Sequence, residues 1–291
     1  MLAAPLAVAA LAACPAFPFS TDQRVDRLPV APDSAAIVRS IGVAGSIKAD
    51  FGSGLWEGGP IGIPYDIVGR RTPRSRVRFE YAGESDRVRY PIPRNVHVER
   101  GADADGDRHA LLLDRARCRL FELFALRRQG DGWHAGSGAT WNLRRPRLRP
   151  SGWTSADAAG LPILPLLARY GEVHRGRIRH ALRMTVSQTR SAFIWPARHV
   201  ASDAGDPALP RMGERLRLRA SVDISGLPRQ ARVVARAMQR YGLIVADNGS
   251  DWFVSGAPSP GWDNDQLRQL GTLQGSDFEV VRVSPPARGR R

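Results

Sequence analysis

The chain predicts a mainly β fold, an antiparallel β-sandwich or jelly roll with one clear helix. Three features predict it. Short stretches of alternating apolar and polar residues recur after residue 76, Gly- and Pro-rich turns separate them, and only one segment repeats convincingly at helical spacing. Mainly β chains with closely spaced turns close into sandwiches or barrels.

Residues 20–75 read as irregular, with turn-rich patches at Gly52-Ser53-Gly54 and Gly58-Gly59-Pro60. Val77, Phe79 and Tyr81 then alternate with Arg76, Arg78 and Glu80 as a half-buried strand. Residues 109–114 and 118–126 are apolar runs flanking Arg115-Ala116-Arg117, a hairpin signal. Ile178, His180, Leu182, Met184 and Val186 share one face against Arg177, Arg179, Ala181, Arg183 and Thr185. Leu216, Leu218, Ala220, Val222 and Ile224 oppose Arg215, Arg217 and Arg219, the cleanest amphipathic strand in the chain.

The helix is expected over about 228–241. Ser225 or Gly226 can cap it, Pro228 suits its first turn, and Val233, Val234, Ala237, Met238 and Tyr241 follow at helical spacing. Arg229, Arg232, Arg236 and Arg240 make its other face a solvated basic one. Residues 243–246 and 252–254 flank Asn248-Gly249, a strong hairpin signal, and 278–283 reads as a last strand before a frayed Arg-rich end. The Pro/Arg-rich stretch at 144–151 could be a boundary, but there is no long linker, so 20–291 is expected to be a single β-rich domain.

Composition narrows the class. With 291 residues, 43% of them hydrophobic, the chain can bury a core. Two cysteines exclude a disulfide scaffold and an all-cysteine metal cluster, and no apolar run reaches the length of a spanning helix. The net charge of +15 invites a polyanion, yet Lys48 is the only lysine, so 42 of the 43 basic residues are arginine. Such replacement reflects coding bias as much as a binding surface. The arginines are spread without aromatic platforms, which argues against nucleic acid.

Residues 1–13, MLAAPLAVAALAA, are uncharged and of signal-peptide length. They end at Leu11-Ala12-Ala13-Cys14, which is similar to a bacterial lipobox. Export is therefore expected, with Cys14 as a lipid anchor to the envelope or as an incidental residue near the cleavage site. The basic segment that normally opens a signal peptide is missing. Cys118 is expected to be a buried, reduced thiol.

Several strings occur together: Ile61-Gly-Ile-Pro64, Tyr90-Pro-Ile-Pro93, Gly106-Asp-Arg-His109, Gly152-Trp-Thr-Ser-Ala-Asp-Ala-Ala-Gly-Leu-Pro162, Ile178-Arg-His-Ala-Leu-Arg183, Trp195-Pro-Ala-Arg-His199 and Tyr241-Gly-Leu-Ile-Val-Ala-Asp-Asn-Gly-Ser250. In this order they resemble a family of exported bacterial hypothetical proteins with no assigned activity. The resemblance covers residues 25 to 283 and implies a secreted, one-domain protein. It supplies no catalytic residue.

Chemistry must come from the residues themselves. A two-residue loop at Arg115-Ala116 would set His109 opposite Glu122, either an acid/base dyad or a structural hydrogen bond. Asp103-Ala-Asp105-Gly-Asp107 begins like a calcium loop, but Arg108 stands where that loop needs glycine. His109, His180 and His199 could converge, though no histidine spacing matches a metal motif and no metal or cofactor is expected. Neither a serine-nucleophile elbow nor a phosphate loop occurs.

Seven tryptophans, many beside turns, suit stacking on sugars. Asp247, Asp251, Asp263 and Asp265 offer carboxylates for a glycosidase pair. The expectation is an exported carbohydrate-active protein, a glycoside hydrolase or polysaccharide lyase. His109, Glu122 and Asp247 would be catalytic, while Trp141, Trp195, Trp252 and Arg179 bind a neutral or anionic polysaccharide. The alternative is a non-catalytic, envelope-anchored glycan-binding or structural protein using its arginines on acidic surfaces.

Overall fold

Strands hold 27% of the described residues and helices 16%, in several sheets with few helices, as the alternation predicts. The computed structural model describes residues 21–145 and 147–285. The expected signal segment 1–13, Cys14 and the Arg-rich end lie outside the described residues.

In chain order, the first elements are α1 (Ser34–Ile41), β1 (Lys48–Asp50), β2 (Leu55–Trp56), β3 (Gly59–Pro60), β4 (Tyr65–Val68), β5 (Arg74–Ser75), β6 (Val77–Phe79) and β7 (Tyr90–Pro91). Next come β8 (Ala110–Asp114), β9 (Arg119–Phe124), β10 (Arg127–Gln129), β11 (Gly132–Ala135) and β12 (Ser137–Asn142). The remainder supplies α2 (Tyr170–His174), β13 (Leu182–Val186), β14 (Arg215–Leu218), α3 (Arg229–Arg240), β15 (Leu243–Asn248), β16 (Phe253–Ser255), α4 (Asn264–Arg268) and β17 (Phe278–Val280). Residues 20–75 are thus not irregular throughout: α1 buries Ile37, Val38 and Ile41 on one side.

Two sheets dominate. One has the order β1-β16-β13-β15-β14-β17 and the other β12-β9-β8-β4. They are mixed rather than wholly antiparallel as expected, because β1/β16 and β13/β15 in the first and β4/β8 in the second pair in parallel, as does β6/β11 in a separate three-stranded sheet. Parallel partners need long crossovers, and here the partners are separated by tens to hundreds of residues.

The run Ala110-Leu-Leu-Leu113 is apolar at every position because its sheet is covered on both faces. Leu111, Leu113 and Leu120 pack in one cluster, and Ala110, Leu112, Phe121 and Leu123 in another. The six-stranded sheet is also covered: α3 packs on β14, α1 packs on β17, and Leu182, Met184, Leu216, Val234 and Met238 share its core. Double coverage overturns the assignment of arginines to a solvent face, since Arg183 and Arg215 are buried within strands.

The helix forms at Arg229–Arg240 with Pro228 in the cap position, while Ser225 turns back onto Asp223. Arg229, Arg232, Arg236 and Arg240 are exposed, as expected. The long strand expected over 215–224 stops at Leu218, and that expected from 178 begins at Leu182. The last strand is likewise shorter, Phe278–Val280. The Asn248-Gly249 turn does not make a hairpin, because β13 lies between β15 and β16. Its residues span the end of β13 instead: Gly249 N–H donates to Val186 O at 2.8 Å and Ser187 N–H to Asp251 Oδ1 at 2.7 Å. Cys118 is disulfide-bonded, not the reduced thiol expected.

At the end of α3 the chain turns sharply into β15 through Gly242, with φ +76°. A Cβ there would stand 2.3 Å from Leu216 O, a backbone atom that cannot swing away. Gly242→Ala is therefore expected to lower stability by roughly 2–4 kcal/mol in urea unfolding, from the left-handed backbone and the clash together.

Candidate functional site

A half-open pocket of about 180 Å³ lies against one end of β15. Asp107, Asp157, Asp247, Ser137, Thr154, Asn248 and the rings of Tyr81 and Phe124 are among its walls. Its floor belongs to the segment 154–158, part of the Gly152-to-Pro162 string. This segment is irregular and heavily tied. Thr154 N–H donates to Glu84 Oε2 at 2.8 Å and Ser155 Oγ to Leu161 O at 2.6 Å. Arg149, between the rings of Trp141 and Trp153, reaches Thr154 O and Glu84 O from below. His109 Nε2 and His199 Nδ1 donate to the carbonyls of Ala156 and Ala158.

Asp247 reaches the pocket because the β13/β15 register slips: Met184 pairs with Val245, but Thr185 pairs with Asp247. Such a bulge re-aims side chains. The skipped Ala246 turns its carbonyl to Ala159 N–H at 2.9 Å, and Asp247 turns to Arg183.

Arg183 is the buried centre of the cluster. Its Nε and Nη2 donate to the two oxygens of Asp157 at 3.0 and 2.8 Å, Nη2 also to Asp247 Oδ2 at 2.9 Å, and Nη1 to Ser255 Oγ at 2.8 Å. Burial works against its charge, yet Asp157 and Asp247 hold its pKa above the ordinary arginine value. Burial and the negative charge of Asp157 push Asp247 up to about 7, with Arg183 pulling the other way. Asp107 differs: it is exposed, and its carboxylate has no hydrogen bond or ion pair among the described residues.

His109 is buried beside this cluster, but not opposite Glu122. Asp114 pairs with Arg119 and Leu111 with Glu122, so the loop holds four residues and His109 meets the Phe124 ring at 5.7 Å. The longer loop arises because Asp114 Oδ1 takes the N–H of Arg117 and Cys118 adopts a left-handed φ of 48°. The carboxylate that meets His109 is Glu99, 2.6 Å from Nδ1. Both ring nitrogens thus face oxygens, and with Glu99 ionised the ring is an imidazolium. Burial opposes that charge, but Glu99 outweighs it and raises the pKa to about 9. His109 in turn overrides burial at Glu99 and holds its carboxylate below the usual value.

Glu122 lies away from the pocket. Fully buried, it accepts N–H bonds from Ile163, Leu164 and Trp141, closing the start of the 3-10 turn Leu164–Leu166. Burial raises its pKa to about 7 against those donors. Trp141 is therefore its buried partner, not a sugar platform. Trp252 is buried with Nε1 donating to Gly42 O, Trp195 is half-buried, Arg179 is exposed, and none of these four lines the pocket. Asp251 and Asp263 hold loop and helix-start N–H groups.

The three histidines do not converge. His180 sits with Glu172 and Arg169, while His199 binds the pocket segment. Glu99, Asp107 and His109 bring potential ligand atoms within 4.8 Å of one another, but a cation there must displace a proton from His109. In the aspartate-rich loop the central position is filled by a guanidinium: Arg108 Nη1 donates to the carbonyls of Ala102 and Ala104 at 2.7 Å.

Of the expected catalytic residues the pocket keeps Asp247 in its wall and His109 behind it. Asp107 and Asp157 also border the pocket, and Glu99 and Arg183 lie behind it, none of which the sequence reading names as catalytic or binding. The available signals were the acidic run before His109 and the Gly152-to-Pro162 string, whose single carboxylate is Asp157. No protein-family model, curated protein or solved structure matches the chain.

Two measurements check these assignments. Nitrogen NMR should show His109 protonated on both ring nitrogens at neutral pH, titrating near 9. Its folded pKa lies above its unfolded value of about 6.5, so its stabilisation is complete below that pH and is lost as pH rises through the folded pKa. His109→Gln should flatten that part of the stability curve. Glu122→Gln, which turns an amide N–H toward backbone donors, should cost about 1–3 kcal/mol of stability and leave the pocket intact.

Proposed function

We propose that the protein is an exported glycoside hydrolase acting on a neutral glycan, with Asp247 as proton donor and Asp107 as the second carboxylate. The observation that carries the reading is the pairing of unlike carboxyl groups in one pocket. Asp247, pushed up to about 7, still holds a proton near neutral pH, whereas Asp107 is exposed and unpaired. Environments that separate two carboxyl groups in this way divide acid from base or nucleophile.

In the reaction, Asp247 gives its proton to the glycosidic oxygen as the C–O bond breaks. Asp107 either activates the incoming water or attacks the sugar carbon itself, and water supplies the hydroxyl of the product. Arg183 positions Asp247, and as an ion it limits how far that pKa rises. Ser137 and Thr154 donate their hydroxyl protons to Ser155 O and Asp157 O, and Asn248 is held by Thr189 and Ala201, so they shape the wall, while Tyr81 offers an exposed ring for a sugar face at the rim.

Charge favours neutral substrates over the anionic ones composition first suggested. With Asp247 protonated, Asp107, Asp157 and Glu99 still outnumber Arg183 and His109 around the pocket. An anionic sugar would enter against that excess. Export is supported by the disulfide at Cys118, since such bonds persist in oxidising compartments.

Turnover on a panel of neutral oligosaccharides and polysaccharides is the direct test. Asp247→Asn should lower kcat by about 100-fold or more. Asp107→Asn should do likewise with thermal unfolding unchanged, because that side chain is exposed. In the wild type, kcat should fall as pH rises through about 7, where Asp247 loses its proton. Binding without turnover on every substrate would leave a glycan-binding protein and remove the hydrolase.

Peptide mapping without reduction tests the N-terminal reading. An acylated Cys14 supports the lipid anchor, and a Cys14–Cys118 cross-linked peptide excludes it, because each uses the same sulfur.

A further inference from the structure

Five consecutive residues, 54 to 58, are exposed at the tip of the β2/β3 hairpin. Leu55 is 70% and Trp56 65% exposed, more than any other large apolar side chain among the described residues. Adjacent strand residues point to opposite faces. Exposure of both therefore means that β2 is uncovered on both faces, while β3 packs at Gly59 against Arg100.

The hairpin is nonetheless a built structure. Trp56 pairs with Gly59 and Leu55 with Pro60 across Glu57-Gly58, whose φ values of 51° and 84° are those of a two-residue I′ turn. At the base, Gly52 N–H donates to Ile61 O at 3.1 Å. Asn264 clamps Ser53 from both sides, Oδ1 accepting its N–H at 2.9 Å and Nδ2 donating to its carbonyl at 3.0 Å. Gly59 lies so close to Arg100 that a Cβ would stand 2.0 Å from its carbonyl oxygen.

We propose that this hairpin is an interfacial anchor that inserts Leu55 and Trp56 into the headgroup region of an anionic lipid bilayer. An occupant must cover an apolar tip on two opposite faces at once. A bilayer surrounds whatever enters it, whereas a sugar ring stacks on one side of Trp56 and leaves Leu55 wet. Tryptophan is suited to that depth, because its ring is apolar and its N–H still reaches water. The net charge of +15 attracts an anionic surface. The one charged residue at the tip, Glu57, has Arg100 4.0 Å away, so the tip is not a bare negative charge.

The test uses the full chain with vesicles of phosphatidylcholine containing about a third phosphatidylglycerol. Acyl chains brominated near the headgroup serve as a quencher. Subtracting the emission of Trp56→Phe, which keeps the ring and the fold, isolates Trp56 from the other six tryptophans. The expected result is quenching of that Trp56 component, whether or not another part of the chain also binds the vesicle. Leu55→Ser combined with Trp56→Ser should weaken partitioning by about tenfold, with thermal unfolding unchanged. An unquenched Trp56 component on vesicle-bound protein overturns the proposal, as does equal partitioning of wild type and double variant. If the double variant instead abolishes self-association and no quenching is seen, the tip is a contact between copies and the bilayer is ruled out.

Discussion

Arg183 sits where four separated stretches of the chain meet, and its side chain is only 5% exposed. Removing a guanidinium from water is costly, and only dense pairing offsets it. Here the pairing is bidentate to Asp157, single to Asp247 and completed by Ser255. Those contacts join β13 to the pocket floor, to β15 and to β16. A lysine could not replace it, because one ammonium cannot present a flat fork to one carboxylate while bonding another. Without Arg183, Asp157 and Asp247 would face each other with no guanidinium between them.

The same rule recurs at smaller scale. Arg108 ties a loop by its carbonyls, Arg149 lies between two tryptophan rings and braces the pocket segment, and Glu122 closes a 3-10 turn. His109 and Glu99 bury a charge pair behind the pocket. Much of the chemistry that looks catalytic in a list of residues is therefore committed to structure. Against that background Asp107 is distinctive, because it borders the pocket, is exposed, and its carboxylate has no hydrogen bond or ion pair among the described residues.

Legibility in the chain followed the range of the interactions. The α3 segment was readable to within a residue or two, since helical spacing and Pro228 are local signals. The β8/β9 hairpin was found, but its register was not, because Asp114 and the left-handed Cys118 made a four-residue loop out of an apparent two-residue one. Asn248-Gly249 illustrates the opposite failure: the turn chemistry is present, yet β13 from elsewhere in the chain takes the space between the two flanking strands. Asp247 is one of four candidate carboxylates in the sequence and does line the pocket, but what carries it there is a bulge opposite β13.

By itself, the sequence determined the mainly β class, the long helix and the apolar runs of the core, because alternation, caps and turns act over a few residues. It also showed an excess of arginine without saying where the charges go. Tertiary structure alone decided which arginines are buried, which carboxylate meets His109, and that three aspartates from distant segments border one pocket. Those outcomes depend on which strand lies beside which and on whether a second layer covers a face. Both are set by packing between residues far apart in the chain, where burial changes the energy of a charge far more than any neighbour in sequence does.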